Sequence, residues 1–224
     1  MKNLFIAIAI LLFATNSFAQ TVMHEGHINY TISITGNEQV AQQMNGSTMD
    51  LSIKDSMSRV DMNMSIMQTN VITNNVAKKG TLLMNMMGNK YAISMSPQDI
   101  KDEEAQAPDY DVKYIDSTKV IAGHVCKKAI VSIKSKKDVK PFTVWYAPDI
   151  TIPVNNKNMY SKINGLPLEY SMEQGAGGQT INMEFQCTLI DNKPVDPSIF
   201  TIPDGYQTMT MDQFKSAMGG LGGH

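Results

Sequence analysis

From residue 27 onward apolar residues recur at every second position, the period of a half-buried strand and not of a helix. Ile28, Tyr30, Ile32 and Ile34 fall on one side of a first segment, with Asn29, Thr31, Ser33 and Thr35 on the other. Met49, Leu51 and Ile53 repeat the pattern, followed by Val60, Met62, Met64 and Ile66 against Asp61, Asn63 and Ser65. Leu82, Met84 and Met86 lead into a Gly88-Asn89 turn and a further strand over 90–95. Turn pairs of this kind tolerate positive φ, so hairpins are the economical connection and an antiparallel meander is expected. The clearest alternation is at 180–189, where Ile181, Met183, Phe185, Cys187 and Leu189 oppose Asn182, Glu184, Gln186 and Thr188. Each strand therefore offers one face to a core and one to water.

Ser96-Pro97-Gln98-Asp99 interrupts this period with a helix start, Ser as N-cap with Pro and an acid in the first turn. A short acidic helix is expected through residue 106. Strand signals resume over 110–115, 119–122, 125–134 and 141–146. Residues 147–165, with Pro148, Pro153, Asn155, Asn156 and Asn164, predict an irregular excursion, and Gly175-Ala176-Gly177-Gly178 a hairpin tip. The stretch 211–224 predicts a short helix running into a glycine-rich tail. With no fixed-period repeat and no linker, 20–210 is expected to form one domain. The predicted fold class is mainly β, a single curved antiparallel sheet of about ten strands, half-barrel or barrel, with one or two short helices.

Residues 1–19 combine Lys2, an apolar run over 4–14 and the ending Ser17-Phe18-Ala19, the layout of an export signal cut after Ala19. That run is shorter than the roughly 20 residues of a spanning helix, and no later run reaches that length. The mature chain is therefore expected in the periplasm or outside the cell, with no transmembrane segment. In that compartment Cys126 and Cys187, the two cysteines, are expected to form a disulfide. Cys187 lies on the apolar parity of its strand and Cys126 on the polar parity of its own, so a bond requires a bulge or bend near Gly123.

Nineteen Lys plus Arg against 21 Asp plus Glu give a net charge of -2 over 224 residues, which removes the attraction on which nucleic-acid binding depends. Hydrolase signatures such as Gly-x-Ser-x-Gly and His-Glu-x-x-His are absent, so neither enzymatic activity nor a cofactor is expected. Methionine is the compositional outlier, with 18 residues, ten of them between Met44 and Met95. Thioether side chains make adaptable apolar surfaces. Many apolar strand faces set against few helices leave lining in excess of cover, so the expected partner is a lipid or other apolar small molecule held in a cavity of the sheet. The candidate lining residues are Met62, Met64, Met84, Met86, Met183 and Trp145. Two alternatives come from other residues. His24 and His27 with Met62, Met64 and Met67 make a soft ligand set suited to copper, and the lysine-rich stretch 134–140 suits an envelope scaffold that binds another protein.

Four segments carry a family resemblance. They are Lys119-Val120-Ile121-Ala122-Gly123-His124-Val125-Cys126-Lys127-Lys128-Ala129, Thr143-Val144-Trp145-Tyr146, Gly165-Leu166-Pro167-Leu168-Glu169-Tyr170, and the stretch 195–206 ending in Phe200-x-x-Pro203-x-Gly205-Tyr206. In this order they resemble the exported Bacteroidota domain-of-unknown-function family 4412 (DUF4412), over residues 26–211 and most strongly over 119–206. That family is similar to the lipoprotein-carrier superfamily of LolA and LolB and to mycobacterial lipid-binding lipoproteins. The resemblance implies a LolA-like curved antiparallel half-barrel, a helical plug over an apolar cavity, and an envelope carrier of lipid or lipoprotein. It also implies a cavity arginine that holds the lid, and Arg59 is the only arginine.

Overall fold

A computed structural model describes residues 20–65, 67–86, 88–134, 139–153, 161–176 and 179–219. The predicted export signal, the tip at 177–178, the glycine-rich end and residues 135–138 of the lysine-rich stretch lie outside the described residues. Among those described, the strands in chain order are β1 (Thr21–Val22), β2 (Glu25–Thr35), β3 (Thr48–Lys54), β4 (Met57–Met64), β5 (Met67–Asn74), β6 (Lys79–Met86), β7 (Asn89–Met95), β8 (Tyr110–Ile121), β9 (His124–Ile133), β10 (Phe142–Ala147), β11 (Ile150–Thr151), β12 (Leu166–Ala176), β13 (Gln179–Asp191) and β14 (Gln207–Thr210). The helices are α1 (Glu38–Gln43), α2 (Pro97–Gln106) and α3 (Met211–Gly219).

Twelve strands form one open sheet in the order β14-β7-β6-β5-β4-β3-β2-β13-β12-β10-β9-β8, and β1 pairs with β11 beside it. From β7 to β8 every pairing is antiparallel, as the turn signals predict. The expectation of a purely antiparallel sheet fails at two places, β14 on β7 and β1 on β11, both parallel. In the first, the chain leaves β13 and crosses a face of the sheet before reaching the free edge of β7. Its direction is set by that crossing and not by a hairpin.

The helix at 97–106 forms where its start signal places it. Ser96 Oγ accepts the Asp99 N–H at 3.2 Å and the Asp99 carboxylate accepts the Ser96 N–H at 2.7 Å, a reciprocal cap. Thr210 and Gln213 make the same exchange at the start of α3, at 3.2 and 2.9 Å. Helix α1 has no counterpart in the periodicity, because its six residues are too few to display one. Its cap is nonetheless explicit, with the Asn37 side chain accepting the Val40 N–H at 3.1 Å.

Directly paired residues share a face, so register extends the two sides of β2 across the sheet. One side carries the rows Ile28–Leu51–Val60–Val71–Leu82–Ile93 and Tyr30–Met49–Met62–Thr69–Met84–Tyr91. The other carries His27–Ser52–Arg59–Ile72–Thr81–Ser94 and Asn29–Asp50–Asp61–Asn70–Leu83–Ala92. This second side was expected to meet water, yet Ile72, Leu83 and Ala92 are buried on it against Met57, Phe200 and Tyr206. The cover is the crossing segment 192–206, which acts as a strap. The neighbouring apolar pairs Val71-Ile72, Leu82-Leu83 and Ala92-Ile93 are the trace in the sequence of strands that are apolar on both faces.

The larger core lies on the first side, centred on β2, β13, β12, β10 and β9. Tyr170 stacks on Phe185 with ring centroids 4.7 Å apart and meets Tyr30 edge-on at 6.2 Å. The Tyr30 hydroxyl donates to the Pro167 carbonyl at 2.8 Å, so its burial leaves no polar atom unsatisfied. A bulge in β8 between Ile115 and Thr118 lets Cys126 turn inward together with Ala129 and Val131, three positions whose parity conflicts in a regular strand. The parity change thus occurs at 115–118, whereas it was expected near Gly123. Cys126 and Cys187 are both buried and both free, so the expected disulfide is not formed in this structure. Strands β10 and β12 lie between theirs. The two thiols are nonetheless within electrostatic reach of each other inside the same core, since Cys126 adds to what raises the pKa of Cys187.

Candidate functional site

Met49, Met62, Met64, Met67 and Met84 share the first side of β3–β6 through the cross-strand pairs Met49–Met62 and Met64–Met67 and the row that includes Met84. All five are half-buried, as are their row neighbours Leu51, Val60, Val71, Leu82 and Tyr91. The surface is therefore neither sealed core nor open exterior. Among the described residues that β2–β7 place on this side, none is charged. The charged residues of these strands, among them Lys54, Arg59, Asp61, Lys79 and Lys90, sit on the strap side. Within the methionine row the Thr69 hydroxyl is buried and has no hydrogen-bond partner. At the hairpin tips the face runs into a groove of about 490 Å³, where Met64 and Met67 meet Asn63, Gln68 and Asn85.

The predicted lining residues divide. Met62, Met64 and Met84 lie together on this face. Met86 occupies the next register position, paired with Asn89, and its side chain lies outside the described ones. Met183 is on the same side but buried in the core, between Met172 and Ile34. Trp145 belongs to the opposite side, where it pairs with Glu169 and Lys128 and lies under the ammonium groups of Lys119 and Lys128, 5.1 and 5.7 Å from its ring. Its placement with the methionines is thus corrected: the alternation through Val144 and Tyr146 turns it away.

The sheet also divides the soft-metal set. His27 hydrogen-bonds Ser52 through Nδ1 at 2.9 Å on the strap side, while Met62, Met64 and Met67 are on the other. His24 lines a different groove, of about 320 Å³, with His124 and Asp149. There His124 Nδ1 is 3.0 Å from Asp149 Oδ2, and Asp149 Oδ1 is buried without a partner. Chain order hid this cluster, since 25 residues separate His124 from Asp149 and parallel pairing of β1 with β11 brings His24 to them. Among the described residues, no group of three or more His, Cys, Asp or Glu is arranged to hold a metal ion.

Arg59 does not enter the methionine face. Its Nε donates to Asp61 at 2.7 Å and its Nη1 to the Ile199 carbonyl at 2.6 Å, so the only arginine tethers the strap. In the lysine-rich stretch, Lys134 is paired with Asp109 at 2.9 Å and Asp111 at 3.3 Å. Burial pushes both thiols up to about 11, which keeps them protonated and unreactive at neutral pH.

No known family profile matches the sequence, and no curated protein does. The resemblance to family 4412 therefore stands on the quoted segments alone. Among solved structures the chain is similar to PNGF-II, at 14% identity and a TM-score of 0.49 over 88% of this chain and 33% of that one. It is also similar to the Mycobacterium tuberculosis lipoprotein LppX, at 11% identity and a TM-score of 0.37 over 77% of this chain and 89% of that one. A DUF1329 family protein from Desulfovibrio piger matches at 10% identity and a TM-score of 0.23, over 80% and 90% of the two chains. The chain spans about a third of the length of PNGF-II. No helix among the described residues is long and apolar enough to cross a membrane.

Proposed function

We propose that this protein is an exported, non-catalytic binder of a lipid or other apolar ligand, carried on the methionine face of a bent sheet. One observation carries the proposal: an uncharged, methionine-lined face left half-buried although the same chain lays a strap across the opposite face. Met49, Leu51, Met62 and Met64 pack against the main core on one flank, and the apolar area they leave in water is unfavourable, so a ligand of matching chemistry removes it. Met supplies three rotatable bonds and a polarisable sulfur, so the lining can reshape around acyl chains of different form. The bend is inferred from burial. Ile28, Tyr30, Ile32 and Ile34 are buried on this side, yet the helix that packs on β2 is the six-residue α1.

Native mass spectrometry tests the proposal on protein purified without detergent from the cells that make it. Extra mass of lipid size, lost on denaturation, is the expected result. A bare chain in both samples, together with no uptake of added lipid, overturns it.

A further inference from the structure

We propose that Thr69 is the specificity-determining residue of the methionine face, and that its hydroxyl donates a hydrogen bond to an uncharged oxygen of an otherwise apolar ligand. The inference rests on the binding function proposed above and refines it. Among the described residues, Thr69 Oγ1 and Asp149 Oδ1 are the buried side-chain oxygens without a partner, and Asp149 belongs to the separate groove beside His124. Thr69 stands in the row between Met62 and Met84. A buried hydroxyl without a partner is unfavourable in the free protein, because it has lost its water and gained nothing. Its cross-strand neighbours are two flexible thioether side chains, which move aside more readily than branched ones.

The surroundings define what the hydroxyl can take. No charged residue of β2–β7 shares this face among those described, so an ionised headgroup brought here would lose its hydration with no opposite charge in reach. A neutral carbonyl oxygen loses far less and accepts the Thr69 O–H directly. The geometry therefore points to an apolar chain bearing a neutral oxygen acceptor, in preference to an ionised acid or a bare hydrocarbon.

The test compares binding of methyl oleate, ionised oleate and octadecene to the mature protein and to Thr69→Val and Thr69→Ser. Methyl oleate is expected to bind tightest. Thr69→Val, which keeps the shape and removes the hydroxyl, should abolish its advantage over octadecene, a loss on the order of fivefold, while Thr69→Ser retains it. The same Val variant, without ligand, should melt at a higher temperature than the parent because an unsatisfied buried hydroxyl is gone. An ester advantage that survives Thr69→Val, a lower melting temperature of that variant, or oleate binding as tightly as its ester each overturns the assignment of Thr69 while leaving lipid binding intact. Binding of none of the three probes overturns the proposed function itself.

Discussion

The carboxylate of Glu25 accepts the backbone N–H of Val195 at 2.8 Å, and Lys54, opposite Glu25 on the next strand, donates to the carbonyl of the same Val195 at 3.1 Å. One ion pair thus holds both backbone groups of a residue that is 1% exposed. Arg59 repeats the device four residues on, at the Ile199 carbonyl. Together they clamp the strap to the face opposite the methionines. Val195→Ala is expected to cost roughly 2 kcal/mol and to lower the melting temperature by roughly 5 °C. Unchanged melting would show that the strap carries none of the stability.

The same clamp sets an acid limit. The Lys54 ammonium, and then the Val195 N–H, hold Glu25 below the usual carboxylate range. Lys162 and Lys134 do the same to Asp109. A carboxylate whose folded pKa is depressed stabilises the fold above its unfolded value and loses that contribution as pH falls through the folded one. Stability should therefore fall below pH 4.5, the ordinary value for Glu25. Glu25→Gln should lower the urea midpoint above pH 4.5 and converge with the parent at acid pH, so that the acid limb of the profile flattens. A parallel shift of the whole profile would remove Glu25 from the explanation.

Sequence periodicity makes the strands legible from residue 27 to 95 because each has one face that must be buried. It also locates Met62, Met64 and Met84, since one parity along a regular strand means one face. The strap was invisible for the same reason. Residues 192–206 have no period, and their burial of Ile72 and Leu83 shows only as adjacent apolar pairs that resemble noise in a two-state alternation. Trp145 misled because an apolar ring on a strand suggests lining, whereas its neighbours Lys119 and Lys128 make it a platform for cations. Cys126 could not be placed without the β8 bulge, which carries no local sequence mark.

Alkaline behaviour distinguishes the free thiols of the structure from the disulfide expected of an exported chain. Burial raises Cys126 and Cys187 from 9.0 to about 11. Groups with a raised folded pKa stabilise the fold fully below the unfolded value, and that contribution is lost as pH rises through the folded one. With free thiols, stability should decline from pH 9 toward 11, and a thiol reagent should label two residues after unfolding and none before. A disulfide gives no labelling in either state and a mass lower by two hydrogens.

Trp145 is the chain's only tryptophan and sits on the side away from the methionines. Its emission should be unmoved when lipid saturates the protein, and Trp145→Phe should leave lipid affinity unchanged. Lys119 is held over the ring by Glu169 at 2.5 Å, so Lys119→Met should shift that emission without ligand. A ligand-dependent shift would place the binding surface on the wrong side of the sheet.

Charge and softness separate lipid from copper at the same residues. Replacing Met62, Met64 and Met84 together by Leu keeps volume and apolarity, so lipid affinity should change by about threefold or less. Affinity for Cu(I), which depends on the thioether sulfurs, should vanish in the same variant. Met62→Lys brings a charge onto a face where the described strand residues have none to pair with it, and should weaken lipid binding on the order of a hundredfold. Melting of each variant, compared with the parent, shows whether the fold survives the change. Lipid binding that tolerates Met62→Lys but is lost with the Leu replacements would reverse both assignments, since only a site read through sulfur responds in that order.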